Sequence, residues 1–230
     1  MRGCILFDLD GTLVDSAPDL GASANFLREA AGLAPLPFGA LRESAGKGAR
    51  GMLWAALRIG PSAPDFEERK AAFLTHYEAH ISERSTLFAG IPELLSSLDE
   101  KGFVWGIVTN KAGALASKLC AAKGITPKTG CIVSGSDLGA MKPRPEAIFA
   151  GIAACAADAS RTIYVGDDAR DAQAAANAGV PFIAASWGYV AGGIDIKRWG
   201  AQALARKPAD VLEAALDILA QRPAASSRAL

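Results

Sequence analysis

The sequence predicts an α/β fold: a Rossmann-like, mostly parallel sheet with helices on both faces and an inserted helical cap. Three observations predict it. Short, continuous apolar runs recur at 4–8, 103–108, 131–134, 162–166 and 180–185, the pattern of strands buried on both faces. Helical segments separate the later runs, and that strand and helix order closes as a parallel sheet. The stretch from about 17 to 88 breaks the order with helical segments and no convincing strand, as an insertion would.

Taken along the chain, the first run ends in Asp8, Leu9, Asp10, Gly11 and Thr12. Helical segments follow near 17–31, 40–58 and 65–81, separated by Pro35 and Pro37 and then by Gly60, Pro61 and Pro64. Phe66, Phe73, Tyr77 and Ile81 recur on one side of the last of these and give the insertion an apolar seam. Beyond it, helices are predicted at 111–123, at 144–157 after Pro143, and at 169–178, where Gly179 is a fitting stop. Ala201–Lys207 combines alanines with flanking charge and makes a poor strand, so a final edge strand is expected to be short or absent before a last helix at about 208–219. Trp187 and Tyr189 follow the fifth run and are expected to line the entrance at the carboxyl edge of the sheet, whereas Trp199 is expected to pack under a terminal loop.

Composition narrows the function. The chain has 230 residues, half of them hydrophobic, enough for a full core. Lys plus Arg and Asp plus Glu both total 24, so no basic excess supports nucleic-acid binding. Cys4, Cys120, Cys131 and Cys155 lack the paired spacing of a zinc site and read as reduced core thiols. No membrane-length apolar run or signal-peptide pattern is present, and a cytoplasmic protein is expected. His76 and His80 share a helix face without a third ligand and are expected to be cap residues outside any metal site. Monomer and homodimer are both compatible with the sequence.

The chemistry gathers at strand ends, the edge at which such sheets carry their sites. Asp8 and Asp10 emerge on the same side of an extended segment. Two close carboxylates persist where a divalent cation neutralises them or where one holds a proton for the other. Thr109, at the end of the second run, can donate its hydroxyl to a phosphoryl oxygen, and N–H groups opening the next helix can add donors around Asn110 and Lys111. Lys142, just before Pro143, can hold an ammonium over a phosphate. Asp167 can complete a Mg²⁺ shell with Asp8 and the backbone carbonyl of Asp10, with Asp171 supporting from one helical turn away. Asp168 is expected to begin or cap the helix. In the insertion, Lys47 and Arg50 flank Gly46 and Gly48 and are candidates for reading the rest of an organic phosphate.

Cys4–Ser16 with its Asp-Leu-Asp-Gly-Thr core, Thr109–Asn110, Lys142–Pro143 and Gly166–Asp171 resemble, in this order, the four motifs of the haloacid dehalogenase superfamily of phosphotransferases. The likeness spans nearly the whole chain and is nearest to the phosphoglycolate phosphatase-like branch with a small helical cap. It implies a catalytic core of 1–15 and 89–222, a cap of 16–88 and a flexible tail at 223–230. It further implies that Asp8 is the nucleophile, Asp10 the general acid/base, and that Mg²⁺, Thr109, Asn110 and Lys142 steady the phosphoryl group. The expected activity is Mg²⁺-dependent hydrolysis of a small organic phosphate, 2-phosphoglycolate first. The segments around Phe103–Lys111, Ser186–Tyr189 and Arg198–Gly200 also resemble a bacterial branch acting on N-acetylmuramic acid 6-phosphate. A phosphomutase or phosphotransferase using the same Asp8, and a noncatalytic phosphate-binding protein, are the remaining readings. Dehalogenation itself is disfavoured, because Asp10, Asp167 and Asp171 suit a metal and a phosphate.

Overall fold

The computed structural model describes residues 3–190 and 195–222, so the expected tail at 223–230 lies outside the described residues. The chain enters through β1 (Cys4–Phe7), every residue of which is buried. A two-residue strand, β2 (Val14–Asp15), leads into four helices: α1 (Ala17–Ala30), α2 (Phe38–Ala45), α3 (Gly48–Leu57) and α4 (Phe66–Ala79). A second two-residue strand, β3 (Thr86–Leu87), brings the chain back, followed by α5 (Ile91–Glu100). Then come β4 (Val104–Thr109), α6 (Gly113–Lys123), β5 (Ile132–Ser134), α7 (Glu146–Ala154), β6 (Thr162–Gly166), α8 (Ala169–Ala178), β7 (Phe182–Ala185), β8 (Ala203–Ala205) and α9 (Asp210–Ala220).

Six strands form one parallel sheet in the order β5-β4-β1-β6-β7-β8. The order reverses about β1: the chain builds outward through β4 and β5 on one side, then through β6, β7 and β8 on the other. In an open parallel sheet that reversal leaves a crevice beyond the strands' carboxyl ends. Alternation along β1 divides the core. Ile5 and Phe7 face one apolar cluster with α5, α6 and α9, while Cys4 and Leu6 face another with α7 and α8. All four cysteines are free and buried. The last strand forms, but with only three residues, as its alanine-rich sequence allows. Trp199 is half-buried against the second cluster.

The insertion leaves and returns side by side, because Val14 and Asp15 pair antiparallel with Leu87 and Thr86. Buried Asp19 fixes this junction: its carboxylate accepts the backbone N–H groups of Ser82, Arg84 and Ser85 at 2.9–3.0 Å. Phe66, Phe73, Tyr77 and Ile81 are all buried, and α1 packs on α2, α3 and α4. Their apolar cluster is continuous with the α5, α6 and α9 side of the sheet. One expectation needs correction. The single helix at 40–58 is two helices, broken at Gly46 and Lys47, because Gly48 takes a left-handed φ of 60° that no continuous helix contains. His76 stacks on Phe26 and shares a hydrogen bond with Ser23, and His80 pairs with Glu83. Among the described residues no helix is long and apolar enough to cross a membrane.

Candidate active site

Three neighbouring strands, β4, β1 and β6, run in register, so their next residues arrive together: Phe7 lies beside both Ile107 and Val165. Asp8 continues the ladder by donating its N–H to the Val165 carbonyl at 2.9 Å. Strands spaced about 4.8 Å apart therefore deliver Asp8, Thr109 and Asp167 to one crevice at the reversal point. Asp8, Asp167 and Asp171, all buried, each place a carboxylate oxygen within 4.8 Å of the others.

Lys142 enters from the loop before α7. Its Nζ lies 2.8 Å from Asp8 Oδ1 and 2.6 Å from Asp171 Oδ1, and donates to Tyr164 Oη at 2.9 Å. The Tyr164 hydroxyl passes the chain on to the Val108 carbonyl at 2.7 Å. Burial works against the ammonium, but the adjoining Asp171 and Asp8 carboxylates outweigh it and hold Lys142 well above its ordinary range. Burial pushes the Asp171 carboxyl upward against the pull of Lys142.

Asp167 accepts the Thr12 hydroxyl at 2.9 Å and the Tyr189 N–H at 2.8 Å. Burial drives its carboxyl well above the usual range, and the Asp8 and Asp171 carboxylates drive it further, which those two donors only partly offset. Three crowded carboxylates facing one ammonium leave an excess of negative charge. Asp8 Oδ1 is buried and accepts no hydrogen bond among the described residues, although the Lys142 ammonium lies 2.8 Å away. Hard oxygen donors, crowding and an unsatisfied oxygen fit a divalent cation.

Asp10 is held apart from that trio. Its carboxylate accepts the Ser16 hydroxyl and, at 3.1–3.2 Å, the Lys111 ammonium, which also donates to Tyr77 Oη of α4 at 2.9 Å. Burial opposes the charge on Lys111, but Asp10 and Tyr77 beside it keep the ammonium above its ordinary value. The ammonium beside Asp10 is thus anchored to the insertion.

Several expectations change in detail. The sequence places Asn110 among the phosphate ligands, but its side chain is committed to Lys142: Oδ1 accepts the Lys142 N–H at 2.7 Å and Nδ2 donates to the Lys142 carbonyl at 3.2 Å. Asn110 positions the lysine. Thr109 is buried and accepts the Lys111 N–H at 3.2 Å, which leaves its hydroxyl proton to donate. Asp168 caps α8 as expected, accepting the Arg170 N–H at 2.8 Å, while Asp171 Oδ2 accepts the Asp168 N–H at 3.1 Å. Asp171 therefore orients both Lys142 and the acidic turn. Trp187 and Tyr189 tie the loop after β7 to the segment after β1: the indole donates to the Thr12 carbonyl at 3.0 Å, and the buried Tyr189 hydroxyl accepts the Ala17 N–H at 2.9 Å. Lys47 and Arg50 are exposed and line a separate cavity with Trp54 and Arg170.

The sequence reading assigns no side-chain role in the site at four positions that the structure places there: Thr12, Tyr164, Lys111 and Gly188. Only Tyr164, a hydroxyl set among aliphatic residues on a buried strand, carries a local signal. Gly188 is the tightest: a Cβ there would sit 2.3 Å from the Gly11 carbonyl and 2.4 Å from Asp167 Cβ. Gly188→Ala is expected to displace Asp167 and lower kcat/KM by about ten- to a hundredfold, the scale set by misplacement of about 1 Å. Steady-state kinetics at several concentrations of a divalent cation checks this, with a raised metal requirement as the accompanying sign.

Fold and site together define an α/β protein whose parallel-sheet crevice gathers strand-end carboxylates suited to a divalent cation. The family model for haloacid dehalogenase-like hydrolases matches residues 5–185, and the chain belongs to that family. It is 38% identical over 211 residues to a phosphoglycolate phosphatase of Xanthomonas campestris, covering 92% of this chain and 95% of that protein. It is 34% identical over 209 residues to an N-acetylmuramic acid 6-phosphate phosphatase of Pseudomonas aeruginosa, covering 91% and 92%. Among solved structures, a predicted phosphoglycolate phosphatase from Haemophilus somnus superposes with a TM-score of 0.79 at 26% identity, covering 92% of this chain and 97% of that one. The chain is a phosphatase-type enzyme of this family.

Proposed function

We propose that the protein is a Mg²⁺-dependent phosphomonoesterase working through an aspartyl-phosphate on Asp8. The observation that carries this reading is the buried set of Asp8, Asp167, Asp171 and Lys142 in the crevice at the reversal of strand order. An Asp8 oxygen attacks phosphorus as the bond to the leaving oxygen breaks, and Asp10 delivers a proton to that oxygen. Asp10, now a carboxylate, takes a proton from water as the water attacks the aspartyl-phosphate and releases inorganic phosphate. Lys142 and the Thr109 hydroxyl face the negative charge of the transferring group. Asp8, Asp167 and the Asp10 carbonyl would hold the Mg²⁺, which when bound supplies further charge neutralisation. Asn110 and Asp171 act by holding Lys142.

The substrate class is a small organic phosphate that also bears a carboxylate, which embraces both activities named for the relatives: 2-phosphoglycolate and N-acetylmuramic acid 6-phosphate. Four buried free thiols support a reducing, cytoplasmic location. The balanced charge supports a small-molecule partner over nucleic acid. The test is phosphate release from an aryl phosphate, 2-phosphoglycolate and N-acetylmuramic acid 6-phosphate, with Mg²⁺ and with chelator. Release from at least one ester, abolished by chelator and restored by Mg²⁺, is expected. Transfer to an added alcohol, or isomerisation without phosphate release, would instead make it a phosphotransferase or mutase.

A further inference from the structure

Gly106 stands inside β4, a strand paired on both sides, where a residue without a side chain packs nothing and weakens the sheet. In register with Leu6, it faces the α7 side of the core. Sulfur fills the place it leaves: a Cβ on Gly106 would sit 2.6 Å from Cys131 Sγ and 2.9 Å from Cys155 Sγ. Both sulfurs therefore lie within 2.9 Å of a single point. Glycine in a strand interior marks close approach by another group, and here that group is a pair of thiols. One backbone oxygen also holds both residues. The Gly151 carbonyl of α7 accepts the Cys155 N–H at 3.0 Å and the Cys131 thiol at 3.6 Å.

Cys4 belongs to the same apolar cluster, whereas Cys120 belongs to the other. Of the three clustered residues Cys155 is the most exposed, at 5% against 2% for Cys131 and 0% for Cys4. It follows the last turn of α7 between Ala154 and Ala156, both exposed, and exposed Thr129 has its Oγ1 3.9 Å from the sulfur. An oxidant arriving from solvent meets Cys155 first. The adjoining Cys131 and Cys4 thiols hold Cys155 below its ordinary value against the opposing effect of burial, while Cys155 and burial together push Cys131 and Cys4 up. The cluster so divides into one reactive sulfur and two protonated neighbours.

We propose that Cys155 and Cys131 are a modification site for hydroperoxides, closing to a reversible disulfide at the edge of the sheet opposite the crevice. The proposal does not depend on the phosphatase reading of Asp8. The Cys155 sulfur attacks one oxygen of hydrogen peroxide, the O–O bond breaks, and the other oxygen leaves as water with the thiol proton, giving a sulfenic acid. The Cys131 sulfur then attacks the Cys155 sulfur. The S–S bond forms as the S–O bond breaks, and the departing hydroxide takes the Cys131 proton and leaves as water. Two thiols are thereby oxidised to one disulfide and one peroxide is reduced to two waters. A dithiol reductant reverses the bridge by exchange. The free thiols are the resting state, and a resolving thiol at this range spares Cys155 from irreversible oxidation.

The test treats the folded protein with hydrogen peroxide, blocks the remaining thiols by alkylation and maps the digest by mass spectrometry without reductant. The expected product links the Cys131 and Cys155 peptides, carries alkylated Cys4 and Cys120, and disappears on treatment with dithiothreitol. In Cys131→Ala the bridge is expected to be lost, with a dimedone-trapped sulfenic acid at Cys155 rising above wild type and sulfinic acid following it. Cys120→Ala is expected to leave the bridge unchanged. In urea, where the packing around Gly106 is gone, the preference for this pair is expected to vanish. No bridge in the folded wild type, a bridge to Cys4 or Cys120 in its place, or the same preference in urea overturns the proposal. So does a folded Cys131→Ala that yields no sulfenic acid at Cys155. If that variant does not fold, the wild-type maps in buffer and in urea decide alone.

Discussion

Asp8→Asn is expected to lower kcat for an aryl phosphate by on the order of 10⁴-fold or more, the scale seen when a covalent nucleophile is removed from an otherwise intact site. Asparagine keeps the size of the side chain and leaves the backbone bond to the Val165 carbonyl untouched. What disappears is the anionic oxygen that bonds to phosphorus. The fold is expected to survive, because the exchange removes one of three mutually repelling carboxylates within 4.8 Å. Thermal unfolding within a few degrees of wild type, together with loss of any acid-stable phosphoenzyme by mass spectrometry, separates lost chemistry from lost structure. Wild-type-like turnover would eliminate the covalent step. Asp10→Asn provides the contrast: it leaves Asp8 able to attack but removes the proton donor and acceptor, so both half-reactions slow. The two variants together distinguish a double displacement from direct attack by water.

The residues that sequence reading found are those whose meaning is local. Asp8, Asp10 and Asp167 stand where an apolar run stops, and a charge at the end of a buried strand is conspicuous whatever lies elsewhere in the chain. Lys142 stands before a proline that marks a change of direction. The residues it missed take their meaning from distant partners. Thr12 bonds to Asp167, 155 positions away, and Trp187 to Thr12, 175 positions away. Asn110 reads as a phosphate ligand because of its neighbours Thr109 and Lys111, but its amide is used on Lys142, 32 positions on. The same limit applies to the fold. Five strands of the main sheet are legible as apolar runs, whereas β2 and β3, at two residues each, are shorter than any periodicity that could announce them. The break between α2 and α3 was hidden because Gly46 and Gly48 sit within an otherwise helical composition, and only the left-handed φ at Gly48 reveals a turn.

Lys142→Met is expected to damage stability as well as catalysis, and the reason lies in what remains behind. The ammonium fills a buried space between Asp8 and Asp171 and donates to Tyr164. Methionine has similar reach but no charge, so it leaves the Asp171 carboxylate, with a side chain 1% exposed, without its counter-ion. Breaking one side of a buried ion pair typically costs about 3–5 kcal/mol. For a domain of this size that corresponds to a fall in Tm of roughly 10 °C. Activity is expected to drop about 10²- to 10³-fold as well, the effect of removing one preorganised donor from a developing anion. Added Mg²⁺ is expected to return part of the lost stability, because a cation among the same carboxylates relieves the repulsion that the lysine no longer offsets. Adding Asp171→Asn to Lys142→Met should recover stability further, since the stranded carboxylate is gone, while leaving turnover low. Such a double variant, more stable than Lys142→Met alone yet no more active, is the signature of an ammonium with two separable duties. If Lys142→Met unfolds at the wild-type temperature without Mg²⁺, the ion pairs carry no stability and the electrostatic account of the site fails.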